Sequence, residues 1–374
     1  MAGIYIHIPF CRKACHYCNF HFSTSLSTVN EIVQSIVSET RLRRSYLTEK
    51  IETIYLGGGT PSLLSGVQLK EIFQALANNF EIDQSPEITL EANPDDLSDQ
   101  QLSAWMDLGI NRLSVGVQSF FDKDLQWMNR LHSGQQALEG LKLAQHKGFR
   151  NISVDLIYGT PTLSDSDWNR NLEKVQSLNL VHLSAYALTV EPKTALDKMI
   201  ALHKKEPVDA EKQTRQFERL MEWAENAGYE HYEISNFAKP GFRSRHNSSY
   251  WQQQPYLGLG PSAHSFNGIS RQWNLSSNPA YLKAIASAVL PFEIEYLTAT
   301  QQLNEYIMTA LRTREGIRFN DSRWSGLAKT VQQAILNDAG KWETRGCITL
   351  DATGIRLNRK GIHFADGIAS DLFR

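Results

Sequence analysis

The chain has 374 residues, a formal net charge of -2, 41% hydrophobic residues and 21% charged residues. That balance is ordinary for a soluble globular protein and supplies no basic surface that would make nucleic acid the main partner. No apolar run approaches the about 20 residues of a bilayer span, and the N-terminus has no signal-peptide pattern. A cytoplasmic protein with one large and one smaller domain is therefore expected.

Residues 4–9 form a short apolar run, read as the first strand. It ends at a loop holding three of the four cysteines, as Cys11-x3-Cys15-x2-Cys18. Three soft thiolates so close together suit a metal cluster better than a packing role. An iron–sulfur cluster with three protein ligands leaves one iron open, and an open iron can hold a substrate. Two other readings compete: a zinc site completed by His7, His16 or His21, and three free core thiols. A disulfide would strand one of the three and is rare in reducing compartments.

Apolar residues at helical spacing (Ile32, Val33, Ile36, Val37) predict a helix within 29–47. Residues 51–56 read as a buried strand, followed by Gly57-Gly58-Gly59-Thr60-Pro61. Glycines there let the backbone approach a ligand and expose its N–H groups. No Gly-Lys-Ser/Thr follows, so this is not a P-loop. Helix 67–77, strand 87–91, helix 101–108, strand 111–117, helix 135–146, strand 151–157, helix 168–178 and strand 182–188 come next. A helix over 210–226 and a seventh strand over 229–234 complete the series.

Six or seven strand–helix units in series predict a parallel sheet, either doubly wound or a full or partial barrel. Sites on such sheets gather at the C-terminal ends of the strands. The cysteine loop, the three glycines, Glu91, Gln118, Asp155 and Ala187 all fall at or near such ends, so the site is expected on that rim. Glu91 could accept hydrogen bonds from a ribose or an amine. Asp155 sits late in an apolar strand, and a buried carboxylate needs a partner, for which Arg130 is a candidate.

Residues 237–279 are rich in Gly, Pro, Ser and Asn and read as an irregular but packed connector. From residue 301 two helical stretches, a hairpin over 347–357 and a final helix predict a small winged-helix-like module that serves packing. The fourth cysteine, Cys347, lies there and reads as an ordinary small apolar residue. The chain divides into 1–236, a connector 237–295 and a C-terminal domain 296–374.

The cysteine loop after a first strand, followed by Gly57-Gly58-Gly59-Thr60-Pro61, resembles the radical S-adenosylmethionine (SAM) superfamily. Residues 5–11 (Tyr-Ile-His-Ile-Pro-Phe-Cys), 114–120 (Ser-Val-Gly-Val-Gln-Ser-Phe) and 155–159 (Asp-Leu-Ile-Tyr-Gly) resemble its branch of oxygen-independent coproporphyrinogen III oxidases and HemW-type heme chaperones. Three details resemble the heme chaperones. Phe20 stands where the oxidases carry a further cysteine, the first strand starts at about residue 3 without the oxidases' extension, and His246-Asn247-Ser248-Ser249-Tyr250-Trp251 matches the HNxxYW motif linked to heme in that family.

The resemblance implies an α/β fold, a partial (β/α)6 barrel of radical SAM type with the small C-terminal domain. It implies that Cys11, Cys15 and Cys18 hold a [4Fe–4S] cluster whose open iron chelates SAM. Tyr5 and Tyr17 would flank that site, and Gly58, Gly59 and Thr60 would line the methionine end. Glu91, Gln118, Arg130, Asp155 and Ala187 would bind the rest of SAM. His246 would ligate heme, with His264 as a rival. The implied partners are heme and heme-acceptor proteins, with no nucleic acid, at most peripheral membrane contact, and a monomer or homodimer. The alternative function is that of the oxidases, oxidative decarboxylation in porphyrin biosynthesis.

Overall fold

The computed structural model describes residues 2–374. Ile4, Ile6 and Ile8 are fully buried and alternate with Tyr5 and His7, the period of two that a strand imposes. The isoleucines meet the helical layer, and the alternate positions face a polar interior. The same pattern builds six strands: β1 (Ala2–Ile8), β2 (Ile51–Gly58), β3 (Ile82–Ala92), β4 (Arg112–Gln118), β5 (Asn151–Tyr158) and β6 (His182–Ala187). They pair in that order and all run parallel.

Helices α1 (Val29–Leu42), α2 (Gly66–Asn79), α3 (Asp99–Asp107), α4 (Asp122–Met128), α5 (Gly134–Lys147), α6 (Asp165–Ser177), α7 (Ala195–Ala201) and α8 (Ala210–Asn226) fill the connections. Ser65, Ser98, Ser133 and Ser164 each accept the backbone N–H three residues on, which fixes where α2, α3, α5 and α6 begin. β6 does not return to β1, so the (β/α)6 unit is a partial barrel, as expected.

The segment read as an irregular connector is regular. The seventh strand read over 229–234 is present as β7 (Glu230–Glu233), but instead of continuing the parallel series it forms an antiparallel hairpin with β8 (Asn236–Ala238), which extends the sheet past β6. After α9 (Arg245–Trp251), β9 (Tyr256–Leu259) pairs parallel with β1. β10 (His264–Phe266), β11 (Ser270–Asn274), α10 (Asn278–Ala286) and β12 (Phe292–Tyr296) follow, the strands antiparallel, and the sheet reaches twelve strands. These strands have three to five residues, too few to print a period on the sequence.

The C-terminal residues form α11 (Ala299–Leu311), β13 (Ile317–Arg318), α12 (Ser322–Ser325), α13 (Lys329–Thr344), β14 (Ile348–Asp351), β15 (Gly354–Leu357), α14 (Arg359–Ile362) and α15 (Ala365–Leu372). Ile307, Ile335, Ile355, Ile368 and Cys347 form a separate core under a three-stranded sheet, matching the helical, winged-helix-like expectation. Among the described residues no helix is long and apolar enough to cross a membrane.

A buried carboxylate ties the added strands to the barrel. Glu39 of α1 is fully buried and accepts from Arg43 Nε (3.2 Å), Gly260 N (2.8 Å), Asn274 Nδ2 (2.8 Å) and Tyr281 Oη (2.7 Å). Removing it would take the counter-charge from the buried Arg43 guanidinium, which keeps its bonds to Gln272 and Asn274, and would leave Gly260 N and Tyr281 Oη without an acceptor; breaking a buried pair in this way typically costs about 3–5 kcal/mol. Glu39→Ala is expected to lose that much stability in urea denaturation; a loss below about 1 kcal/mol would contradict this role for the network.

Candidate cluster and cofactor site

At the C-terminal ends of β1–β6 lies a cavity of about 430 Å3. Its walls include Cys11, Cys15, Tyr17 and Cys18 on one side and Gly58, Gly59, Thr60, Glu91, Gln118, Arg130, Asp155 and Ala187 on the others. Of the residues expected to meet the cluster and SAM, the cavity gathers all but Tyr5.

The cysteine loop is held mainly by its backbone. Cys11 N donates to Ser23 O (3.0 Å) and Ser23 N to Pro9 O (2.9 Å), closing the loop at its root. His16 N donates to Met128 O, Leu196 N to His16 O, and Asn129 Nδ2 to Ala14 O, so α4, α7 and the turn after α4 hold its far side. Gly59 is required here, because a Cβ on it would lie 2.5 Å from Phe10 O and 2.7 Å from Ile8 O. Gly58 adopts φ +103°, and a Cβ there would meet the His7 ring at 2.6 Å.

All three cysteines are free thiols. Burial pushes the Cys11 thiol up and the Cys18 thiol up to about 11, so without a metal both stay protonated at neutral pH. Two donors point at the sulfurs: Thr60 Oγ1 at Cys11 Sγ and Arg130 Nη1 at Cys15 Sγ, each at 3.4 Å. Such hydrogen bonds stabilise thiolate charge and tune a cluster. The histidines that could complete a zinc site are engaged elsewhere. His7 Nε2 meets His21 O, His16 Nδ1 meets Trp127 O and His21 Nε2 meets Asn278 Oδ1. Among the described residues no three such ligands converge on one point, as a single zinc ion would require. The donor set fits a cluster, a body several ångströms wide with three thiolate ligands.

The polar wall is built from alternate residues of the strands. Glu91 accepts from Tyr55 Oη (2.7 Å) and Gly58 N (3.2 Å), and burial raises its carboxyl to about 7. Asp155 accepts from Ser114 Oγ (3.3 Å), and burial raises it to about 6. Arg130, one candidate partner for Asp155, makes no hydrogen bond to it: its Nη2 donates to Asn93 Oδ1 (2.6 Å) and Gly116 O (2.7 Å). Gln118 has φ +65°, where a non-glycine residue is strained, and the β4–β5 register shifts between Val115 and Gln118. Strain of this kind concentrates where a side chain must be aimed at a site.

The Radical SAM superfamily model matches residues 5–175, and the HemN C-terminal domain model matches residues 297–364. A heme chaperone HemW from Lactococcus lactis is 35% identical over 84% of this chain and 82% of its own length. One from Mycobacterium tuberculosis is 30% identical over 99% and 94%.

The chain belongs to the HemW family.

The solved structure of coproporphyrinogen III oxidase HemN from Escherichia coli superposes with a TM-score of 0.86 at 21% identity, covering 100% of this chain and 90% of that one. That likeness shows a shared fold. Phe20, expected to stand where the oxidases carry a further cysteine, is largely exposed and lines the cavity, as does Phe22.

Three expected residues, Tyr5, His246 and His264, do not line the cavity. Tyr5 stands below the cavity, stacked on Tyr55 (6.0 Å between ring centres) with its hydroxyl on His7 Nδ1 (3.2 Å). It supports the tyrosine that holds Glu91. His246 is 1% exposed; its Nδ1 pairs with Thr53 Oγ1 (2.8 Å), its Nε2 with Tyr250 Oη (2.7 Å), and its ring stacks on Tyr55. Both ring nitrogens of the expected heme ligand are thus occupied inside the protein. His264 on β10 is exposed. Sequence reasoning missed Asn93, which links Arg130 to Thr60, and Arg112, which faces the same interior as Ser114 and Gln118. Strand parity was the available signal.

Gly59→Ala is expected to displace the cysteine loop, so that anaerobic reconstitution loads less than half the iron of the unaltered protein while circular dichroism is unchanged. Equal iron loading would contradict the packing role. A second expectation concerns pH. Glu91 rises from 4.5 unfolded to about 7 folded, so its contribution to stability is full below about 4.5 and lost as pH rises through about 7. Urea denaturation of ligand-free Glu91→Gln should fall less steeply between those values than that of the unaltered chain; parallel curves would contradict the burial.

Proposed function

We propose that this chain is a heme chaperone that carries a [4Fe–4S] cluster on Cys11, Cys15 and Cys18, binds SAM beside it, and passes heme to acceptor proteins. The observation that carries the reading is the meeting of three free cysteines and two half-buried carboxylates on one cavity, in a chain that aligns with heme chaperones along most of their length. A cavity of this size suits a compact cofactor. The cluster, when bound, supplies the open iron and one electron to SAM. The chain's own residues do the rest. Glu91, Gln118 and Asp155 offer acceptors to ribose and ammonium groups, and Arg130 is anchored at the rim by Asn93 and Gly116.

His246 remains the proposed heme ligand on the strength of the HNxxYW match, with one added requirement. α9 must first release the ring from Thr53 and Tyr250. Burial holds the imidazole down to about 3, so it is neutral at physiological pH, the form that ligates iron. Heme uptake should therefore be limited by a first-order opening step.

An anaerobic heme titration of the cluster-loaded protein, followed at the Soret band, tests the reading. Saturation near one heme per chain is expected. His246→Ala should weaken binding at least about tenfold with iron content unchanged. Equal affinity in that variant would remove His246 as ligand and transfer the role to His264. Absence of specific heme binding, with protoporphyrinogen IX formed from coproporphyrinogen III, SAM and a reductant, would replace the chaperone reading with the oxidase one.

A further inference from the structure

Arg112 opens β4 and is 1% exposed, yet its Nε and Nη1 find no hydrogen-bond partner among the described residues. An uncompensated buried guanidinium is among the costlier features a fold can carry. Its neighbours share the anomaly. Arg112 pairs in register with Thr89 of β3 and Asn151 of β5, and Thr89 Oγ1 and Asn151 Oδ1 are also buried without partners. By strand parity all three face the barrel interior, one inward-facing layer below Ser114. Ser114 is in register with Glu91 and donates to Asp155. The unpaired cation thus lies directly beneath the two carboxylates of the proposed SAM site.

We propose that Arg112 is the counter-ion that keeps Glu91 and Asp155 anionic for a cationic ligand, a positioning residue that acts on the cofactor through them. This rests on the SAM-binding reading given above. A cation held off hydrogen-bond contact exerts its charge on both carboxylates without itself taking up an acceptor site on either, so the lone pairs not engaged by Tyr55, Gly58 and Ser114 stay available to the ligand. SAM carries a sulfonium and an ammonium against one carboxylate, so its net charge is positive and anionic wall groups favour it. Burial raises both carboxyls, and Arg112 opposes that rise at each. Arg130, the other cation of the wall, is already committed to Asn93 and Gly116.

The remaining titratable groups of this interior do not take over that role. Burial raises the hydroxyls of Tyr5 of β1, Tyr55 of β2, Tyr232 of β7 and Tyr250 of α9. His182 of β6 and His246 are kept neutral by burial and then by Arg112 itself. Glu87 of β3 accepts the backbone N–H groups of Arg245 and His246 at 3.0 Å and is spent on α9. Tyr186 of β6 is half-exposed at the mouth.

The test is equilibrium dialysis of labelled SAM against anaerobic, cluster-loaded protein from pH 6 to 9. The unaltered chain should hold its affinity down to about neutral pH. Arg112→Gln should shift the rise in affinity upward by about one pH unit, binding about tenfold more weakly at pH 7 and recovering by pH 9. Arg112→Lys, which keeps the charge, should follow the unaltered profile. If the Gln side chain is not accommodated, Arg112→Met removes the same charge with a chain of similar reach. An unshifted profile in the neutral variant, or a Lys variant displaced as far as the Gln one, would overturn the proposal. Failure of the unaltered chain to bind SAM would overturn the reading beneath it instead.

Discussion

Burial of a polar interior inside a parallel sheet is the constraint on which this structure turns. One face of β1–β6 is aliphatic and sealed by helices. The other buries Arg112, Ser114, His182 and His246 and holds Glu91 and Asp155 half-buried at the cavity wall. Each such group is costly unless something satisfies it. Glu91 is met by Tyr55 and Gly58, Asp155 by Ser114, and His246 by Thr53 and Tyr250. What the protein leaves unsatisfied, at Arg112, Thr89 and Asn151, marks where charge has been stored rather than neutralised.

The cysteine loop depends on the same sheet. Its ends are fixed by the backbone of β1 and by glycines of β2 that admit nothing larger, and its far side rests on the turn after α4 and on α7. Thiols pushed up by burial give up their protons on metal binding, so loading of the site is coupled to pH. Because Thr60 and Arg130 each point at a sulfur while also contacting Asn93, the cysteine loop and the polar wall are tied together through Asn93.

The barrel and its rim were legible in the sequence because β1–β6 are long enough to alternate and because barrel chemistry gathers at strand ends. Cys11, Gly58, Glu91, Gln118, Asp155 and Ala187 could be placed on one cavity from that rule alone. The strands from β8 to β12 were illegible, since runs of three to five residues broken by Gly and Asn carry no period. α4 and α7, at seven residues each, were missed for the same reason. The Asp155–Arg130 pairing failed because charge alone cannot say which acceptor a guanidinium meets, and backbone carbonyls compete with carboxylates. The burial of His246 was not legible because its neighbours are Asn and Ser, whereas the fold turns that helix inward and fills both ring nitrogens.

In the proposed function Cys11, Cys15 and Cys18 would hold a cluster that leaves one iron open to SAM. Mössbauer spectroscopy of protein reconstituted with 57Fe, recorded with and without SAM, tests that claim most directly. Four irons per chain are expected, with one of them changing its signature when SAM is added and the other three unaltered. A spectrum that SAM leaves unchanged, or zinc bound in place of iron and sulfide, would contradict it.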